Sequence, residues 1–115
     1  MGTRQPVNLR SIRDADGSRY LDAHLNDAGD LVIDGQDLGP AVERAFGEGL
    51  TEYEWRHTIR AANVPLLVAA LGGAPGEDVL VLLARTCTDD DAARLARLLG
   101  TDEAVPAEFW SRIGK

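Results

Sequence analysis

Apolar and polar side chains alternate along the first half of the chain, which is the pattern of half-buried β-strands. The alternation is strictest at residues 20–26 and 52–60, and shorter strands are predicted at residues 7–13 and 31–34. An Asp-Gly pair at residues 16–17 favours a hairpin turn between the first two strands. The side chains predicted to face the core from the two strictest strands are Leu21, Ala23, Leu25, Tyr53, Trp55, His57 and Ile59.

In the second half of the chain the apolar residues recur at helical spacing. Helices are predicted at residues 63–71, 77–86 and 88–99, and a shorter one is predicted at residues 40–46. Asn63 and Thr88 are predicted to cap the first and the third of the later helices, because their side-chain oxygens accept free backbone N–H groups.

These elements predict an α+β fold in a single globular domain that spans residues 1–115. The strands form a four-stranded, mainly antiparallel meander, and three helices follow it and pack on one of its faces. The other face is expected to stay open to solvent. The tail after Pro106 carries Phe109, Trp110 and Ile113 and predicts either a C-terminal strand or an extension docked on the helices.

The negative charge of the chain is concentrated between Tyr20 and Trp55. The whole chain has a formal net charge of −7, and this segment alone holds nine acidic residues and one arginine. Such a field repels nucleic acid and anionic membranes and attracts basic molecules. We therefore expect a basic protein partner, and neither a nucleic acid nor a membrane.

Three features predict a cytoplasmic protein. Cys87 is the only cysteine, which excludes an internal disulfide and a cysteine-rich metal site. The first seventeen residues are polar and lack the apolar core of a signal peptide. The longest apolar stretches, at residues 64–71 and 79–84, are far shorter than the ~20 residues that a membrane span needs.

Three stretches of the chain carry a family resemblance: DLVIDGQDLGP at residues 30–40, TEYEWRHTI at residues 51–59 and PAEFWSR at residues 106–112. In this order, around leucine-rich helices, they resemble small acidic proteins from actinobacteria that have no assigned activity. The resemblance spans the chain from about residue 20 to the C-terminus. It implies a source and a compartment, and it carries no catalytic or binding residue over to this chain.

Candidate catalytic chemistry is limited to two histidines and one cysteine. His24 has Asp22 and Asp34 as neighbours for an acid–base pair or part of a metal site. His57 is predicted on the core side of its strand, and Cys87 at the end of an apolar helix, where most cysteines are inert. The chain has no HxxxH, HExxH or CxxC spacing and no GxSxG, GxxxxGKS/T or GxGxxG motif. We expect no catalytic residue, no metal and no cofactor.

The open sheet face leads to the functional hypothesis. Carboxylates on neighbouring strands lie close enough to meet a basic surface together, and an exposed tryptophan often anchors an interface. We predict a non-enzymatic acidic domain that binds a basic protein, with an immunity-type or nucleic-acid-mimicking inhibitor of a toxin or nuclease as its specific form. The predicted partner-binding residues are Asp22, Asp30, Asp34, Asp37, Glu54, Tyr20 and Trp110.

Alternatives to this hypothesis remain open. One is a homodimeric or subunit module in which the exposed sheet pairs with a second copy. Another is a small ligand-binding domain or enzyme built around His24 or His57. A third is a charged face that only keeps the domain in solution.

Overall fold

The computed structural model describes residues 6–101 and 105–114 of the chain. In these residues five strands form one sheet in which each strand is antiparallel to the next, in the order of the chain. The strands are β1 (Val7–Asp14), β2 (Gly17–Leu25), β3 (Leu31–Leu38), β4 (Glu52–Ile59) and β5 (Glu108–Gly114), and the helices are α1 (Pro40–Phe46), α2 (Val64–Ala70), α3 (Val79–Thr86) and α4 (Ala92–Thr101).

The predicted α+β meander is confirmed, with one strand more than its four. The tail after Pro106, for which the sequence predicts either a strand or an extension, forms the strand β5, which pairs with β4 over seven successive residues. The predicted end of the third strand at residue 34 is wrong, because β3 continues to Leu38. Pairing with β2 on one side and β4 on the other holds the glycine-containing end of β3 in the sheet.

Turn chemistry joins the first three strands as the sequence predicts. A two-residue loop, residues 15–16, connects β1 to β2, and the Asp14 carboxylate accepts the N–H of Asp16 at 2.9 Å. In the next turn Oδ1 of Asn26 accepts the N–H groups of Ala28 and Asp30 at 3.0 and 2.9 Å. Both side chains replace backbone acceptors in the turns, which is why Asp and Asn are favoured there.

The two faces of the sheet differ in what covers them. The inner face carries the alternating apolar residues predicted for β2 and β4, and helices α2, α3 and α4 pack on it to form the core. The outer face carries the polar residues of the same strands. The largest fully buried side chains are Leu9, Leu31, Ile33, Ile59, Leu67, Leu82, Leu83, Leu95, Val105 and Cys87.

The helix ends differ from the prediction in their capping. Asn63 and Thr88 occupy N-cap positions, but neither side chain makes a capping hydrogen bond. At the start of α3, Asp78 caps the helix: its carboxylate accepts the N–H groups of Leu80 and Val81. Thr88 precedes a single 3₁₀ turn, Asp89–Asp91, which leads into α4.

In the described ranges, none of the helices has the length and apolar character needed to cross a membrane.

Candidate functional site

The outer face of the sheet contains a shallow depression with a volume of about 640 Å³. It lies across β2, β3, β4 and β5, and the strand register explains its composition. In one cross-strand row Asp22 pairs with Asp34, Asp34 with Arg56 and Arg56 with Trp110. We call this concave area the outer-face depression. Its lining residues are Tyr20, Asp22, Asp34, Gly35, Gln36, Glu54, Trp55, Arg56 and Trp110.

Five of the seven predicted partner-binding residues lie in the outer-face depression. They meet there because residues of equal parity on paired strands share a face. The aromatic rings come from β2 and β5, and the carboxylates come from the three strands between β1 and β5. These five residues are Tyr20, Asp22, Asp34, Glu54 and Trp110.

The carboxylates of the depression already have polar neighbours in the chain. Nε of Arg56 donates to Oδ1 of Asp34 at 2.6 Å, and Nδ1 of His24 lies 3.9 Å from Oδ2 of Asp34. Oδ1 of Asp22 accepts a hydrogen bond from Nδ2 of Asn8 at 2.8 Å. These contacts hold both carboxylates in place, and they also offset part of the charge of Asp34.

A second group of charges, on β4 and β5, shares Glu54 with the depression. The carboxylates of Glu52 and Glu54 lie close to each other, and Nη2 of Arg112 is 3.7 and 3.5 Å from them. Nε2 of Gln36 lies 3.5 and 3.3 Å from the same two carboxylates. The hydrogen bond with Glu52 raises the pKa of Glu54 above its ordinary value, an effect that burial reinforces and Arg112 opposes. An additional cation at this position would reduce the electrostatic repulsion between the two carboxylates.

Asp30, also predicted to bind a partner, lies outside the outer-face depression. Its side chain is buried in the turn between β2 and β3, and Oδ1 accepts the N–H of Ala61 at 2.8 Å. Oδ2 lies 3.4 Å from Nδ2 of Asn26. The carboxylate therefore ties this turn to the segment after β4, and the structure does not bring it to the outer-face depression.

Asp37, the other predicted partner-binding residue outside the depression, lies near the end of β3. Asp37 follows Gln36 on β3, so its side chain points to the inner face, opposite Arg19 and Tyr53 in the register. Its Oδ1 is buried without a hydrogen-bond partner. Burial raises the pKa of Asp37, and the nearby Arg10 and Arg19 guanidinium groups counteract this only in part. Sequence analysis did not separate the faces here because it ended the third strand before this residue.

The two residues considered for catalysis besides His24 lie in the core. His57 is on the inner face, where its ring is 4.9 Å from that of Phe109, and burial lowers its pKa. Cys87 is fully buried, and its sulfur lies 3.5 Å from Oγ1 of Thr86. Among the residues of known placement, no group of three or more His, Cys, Asp or Glu side chains is arranged to hold a metal ion.

A smaller cavity of about 120 Å³ lies between α4 and the inner face, next to His57 and Trp55. This volume is well below the roughly 300–1,000 Å³ of typical small-molecule sites. Its walls are the core side chains Leu21, Ile33 and Leu95. We regard it as a packing space of the core.

Gln36 and Arg112 were missed by the sequence analysis. Gln36 could be placed on the outer face only once β3 was known to extend past residue 34. Arg112 could be placed beside Glu54 only once β5 was known to pair with β4. A signal for Arg112 was present, because Glu108, Trp110 and Arg112 alternate with Phe109 and other inward positions.

Comparison of the chain with known protein families, with curated proteins and with solved structures gives no match.

Proposed function

We propose that this chain is a non-enzymatic protein-binding domain whose outer-face depression receives a basic side chain of a partner protein. The observation that carries the proposal is the meeting of two aromatic rings, Tyr20 and Trp110, with three carboxylates in one concave area of about 640 Å³. A cation is stabilised both by carboxylates and by the faces of aromatic rings.

Exposure and charge support this use of the depression. Trp110 is about half exposed, at 52% of the full accessible area of the residue. Asp22 lies beside Asp34 on the neighbouring strand β2, and Glu54 lies two residues from Arg56 along β4. An incoming guanidinium group would find carboxylate acceptors and an aromatic surface within one depression.

The arginines of the sheet limit which basic partner fits. Arg56 and Arg112 are interleaved with the carboxylates. A nucleic-acid mimic needs a continuous array of negative charges, so this interleaving disfavours the mimic. The remaining specific form is an immunity-type inhibitor of a basic toxin, in which single lysine or arginine side chains of the toxin enter the depression.

The experiment is a binding titration with a hexa-arginine peptide, followed by calorimetry and by NMR chemical shifts. The test variant carries Asp22→Asn, Asp34→Asn and Glu54→Gln. The matched control carries Asp27→Asn, Glu48→Gln and Asp91→Asn, three exposed acids outside the depression, and so has the same net charge.

We expect the test variant to bind the peptide at least about tenfold more weakly than the control, because only the test variant loses the acceptors of the site. Shift changes should centre on Tyr20 and Trp110, and affinity should fall as salt rises. Equal weakening in both triple variants would show that the peptide responds to overall charge, and the proposed site would then be rejected.

A further inference from the structure

Three of the six large apolar residues that are exposed in the described part of the chain lie on β5. Phe109, Trp110 and Ile113 are 57%, 52% and 42% exposed in a strand of seven residues. β5 is the last strand of the sheet, and the helices that cover the inner face leave its side chains uncovered. Such a strand offers apolar side chains on both faces together with an unpaired edge.

The free backbone groups of β5 follow from the hydrogen-bond pattern of the sheet. Successive residues of a strand direct their N–H and C=O groups to opposite neighbours. The N–H of Gly39 donates to the C=O of Thr51 at 2.8 Å, so odd-numbered residues of β4 face β3. Its even-numbered residues then face β5, where Arg56 pairs with Trp110. The N–H and C=O groups of Phe109, Ser111 and Ile113 therefore point to the free edge.

The opposite edge of the sheet is protected against pairing, and β5 is not. The register of β1 with β2 shifts between Asn8 and Arg10, and such a bulge twists an edge away from a new strand. β5 has an unbroken register with β4 from Glu108 to Gly114. Only the β5 edge is thus regular enough to extend the sheet.

We infer that two copies of this chain associate through their β5 strands, in antiparallel pairing about Trp110. This register places Glu108 opposite Arg112 of the second copy, and Arg112 opposite its Glu108. Both charged side chains are more than half exposed, at 63% for Glu108 and 62% for Arg112. The charges of β5 are therefore complementary to those of a second, antiparallel β5. This favours a second copy of the chain as the partner at this edge.

The same register uses the apolar residues and the free backbone groups. Trp110 lies directly opposite Trp110 of the second copy on the outer face, at the close distance of a pair without direct hydrogen bonds. Phe109 and Ser111 pair with Ser111 and Phe109 of the second copy through their edge-facing N–H and C=O groups. The sheet continues through both copies, and the two outer-face depressions meet at the paired tryptophans.

The test is the mass of the chain in solution, measured by light scattering coupled to size-exclusion chromatography over about 1–100 µM. Ser111→Pro removes an N–H that points away from β4, so it blocks a new strand without costing a bond to β4. Ser11→Pro is the matched control on β1. The hairpin closes at Asp14 opposite Gly17, and by alternation Ser11 also points away from its neighbour.

We expect the wild-type chain and Ser11→Pro to be dimers and Ser111→Pro to be a monomer, with equal circular dichroism spectra. A wild-type monomer over the whole range overturns the inference, as does a Ser111→Pro variant that dimerises like the wild type.

A charge reversal tests the register and does not depend on proline. Arg112→Glu alone places two acids opposite each other and should dissociate the dimer, and the double variant Glu108→Arg/Arg112→Glu should restore it. A folded double variant that stays monomeric overturns pairing about Trp110. The dimer and the binding of a basic side chain can fail independently, because the outer-face depression of one copy is complete without the second. Titration of the Ser111→Pro monomer with the hexa-arginine peptide therefore tests the depression alone.

Discussion

Gly35 of β3 lies directly opposite Trp55 of β4, and the indole ring occupies the space where any other residue at position 35 would carry its Cβ atom. A Cβ atom built on Gly35 would lie 2.1 Å from both Cε2 and Cζ2 of Trp55. The indole in turn stacks on Tyr53 at a centroid distance of 5.2 Å, and Tyr53 contacts Phe46 of α1 at 5.0 Å. The missing side chain thus allows a row of aromatic rings to lie flat on the inner face.

Gly35→Ala should destabilise the chain by about 1–3 kcal/mol, because a methyl group would overlap the indole and force it out of its position. Gly114→Ala is the matched control, since a Cβ atom there meets nothing within 4 Å. Urea unfolding followed by tryptophan fluorescence measures both. Equal stability of the two variants would mean that Trp55 can move at no cost.

Asp37→Asn should stabilise the chain at neutral pH, by about 1 kcal/mol or less. Burial raises the pKa of Asp37 in the folded state, so the ionised form is disfavoured there relative to the unfolded chain. In the wild type the free energy of unfolding should therefore gain a contribution as the pH falls through this raised pKa towards the ordinary value. In urea unfolding at neutral and mildly acidic pH, this gain should be present in the wild type and in the exposed control Asp27→Asn relative to Asp37→Asn, because the opposite contribution of His57 is common to all three chains. If Asp37→Asn showed the same gain, the gain would come from a titrating side chain other than Asp37.

His57 should make the fold sensitive to acid. Its pKa is lowered by burial, so the unfolded chain takes up a proton on His57 at a higher pH than the folded chain does. The stability of the fold that depends on a neutral His57 is complete above the ordinary pKa of 6.5. It is lost as the pH falls from there through the lower pKa of the folded state. His57→Leu should remove this loss, while His24→Gln, which leaves His57 in place, should keep it. Thermal unfolding between pH 7.5 and about 5 measures the slopes, and a slope unchanged in His57→Leu contradicts the assignment.

Asp78→Ala should cost about 1 kcal/mol of stability, the usual loss when a helix cap is removed. Its carboxylate accepts two N–H groups of α3, at 3.0 and 3.3 Å. Asn63→Ala provides the contrast, because Asn63 occupies the N-cap position of α2 without a capping hydrogen bond. We expect its effect to be less than half as large. Equal losses in the two variants, measured by chemical unfolding, would show that the N-cap position contributes without the hydrogen bonds and would contradict the prediction.

The sequence by itself determined the strands β1, β2 and β4, the four helices, and the face that β2 and β4 turn to the core. Alternation in residues 20–26 and 52–60 depends only on the period of a β-strand, and it assigned Leu21, Trp55 and His57 to the inner face correctly. The same alternation predicted Asp22, Asp34 and Glu54 on the outer face, because the face to which a side chain points depends on its position along its own strand. The hairpin at residues 14–17 followed in the same way from the conformational freedom of an Asp-Gly turn.

Only the tertiary structure decided where β3 ends, what β5 pairs with and which carboxylates remain available. Gly35 argues against a strand when its own conformational preference is considered alone, but the ring of Trp55 on a neighbouring strand needs that position to be empty. Asp30 and Asp37 look equivalent to Asp34 in the sequence, yet one is used inside a turn and the other faces the core side of the sheet. These outcomes depend on contacts between residues far apart in the chain, and no local pattern of side chains contains them.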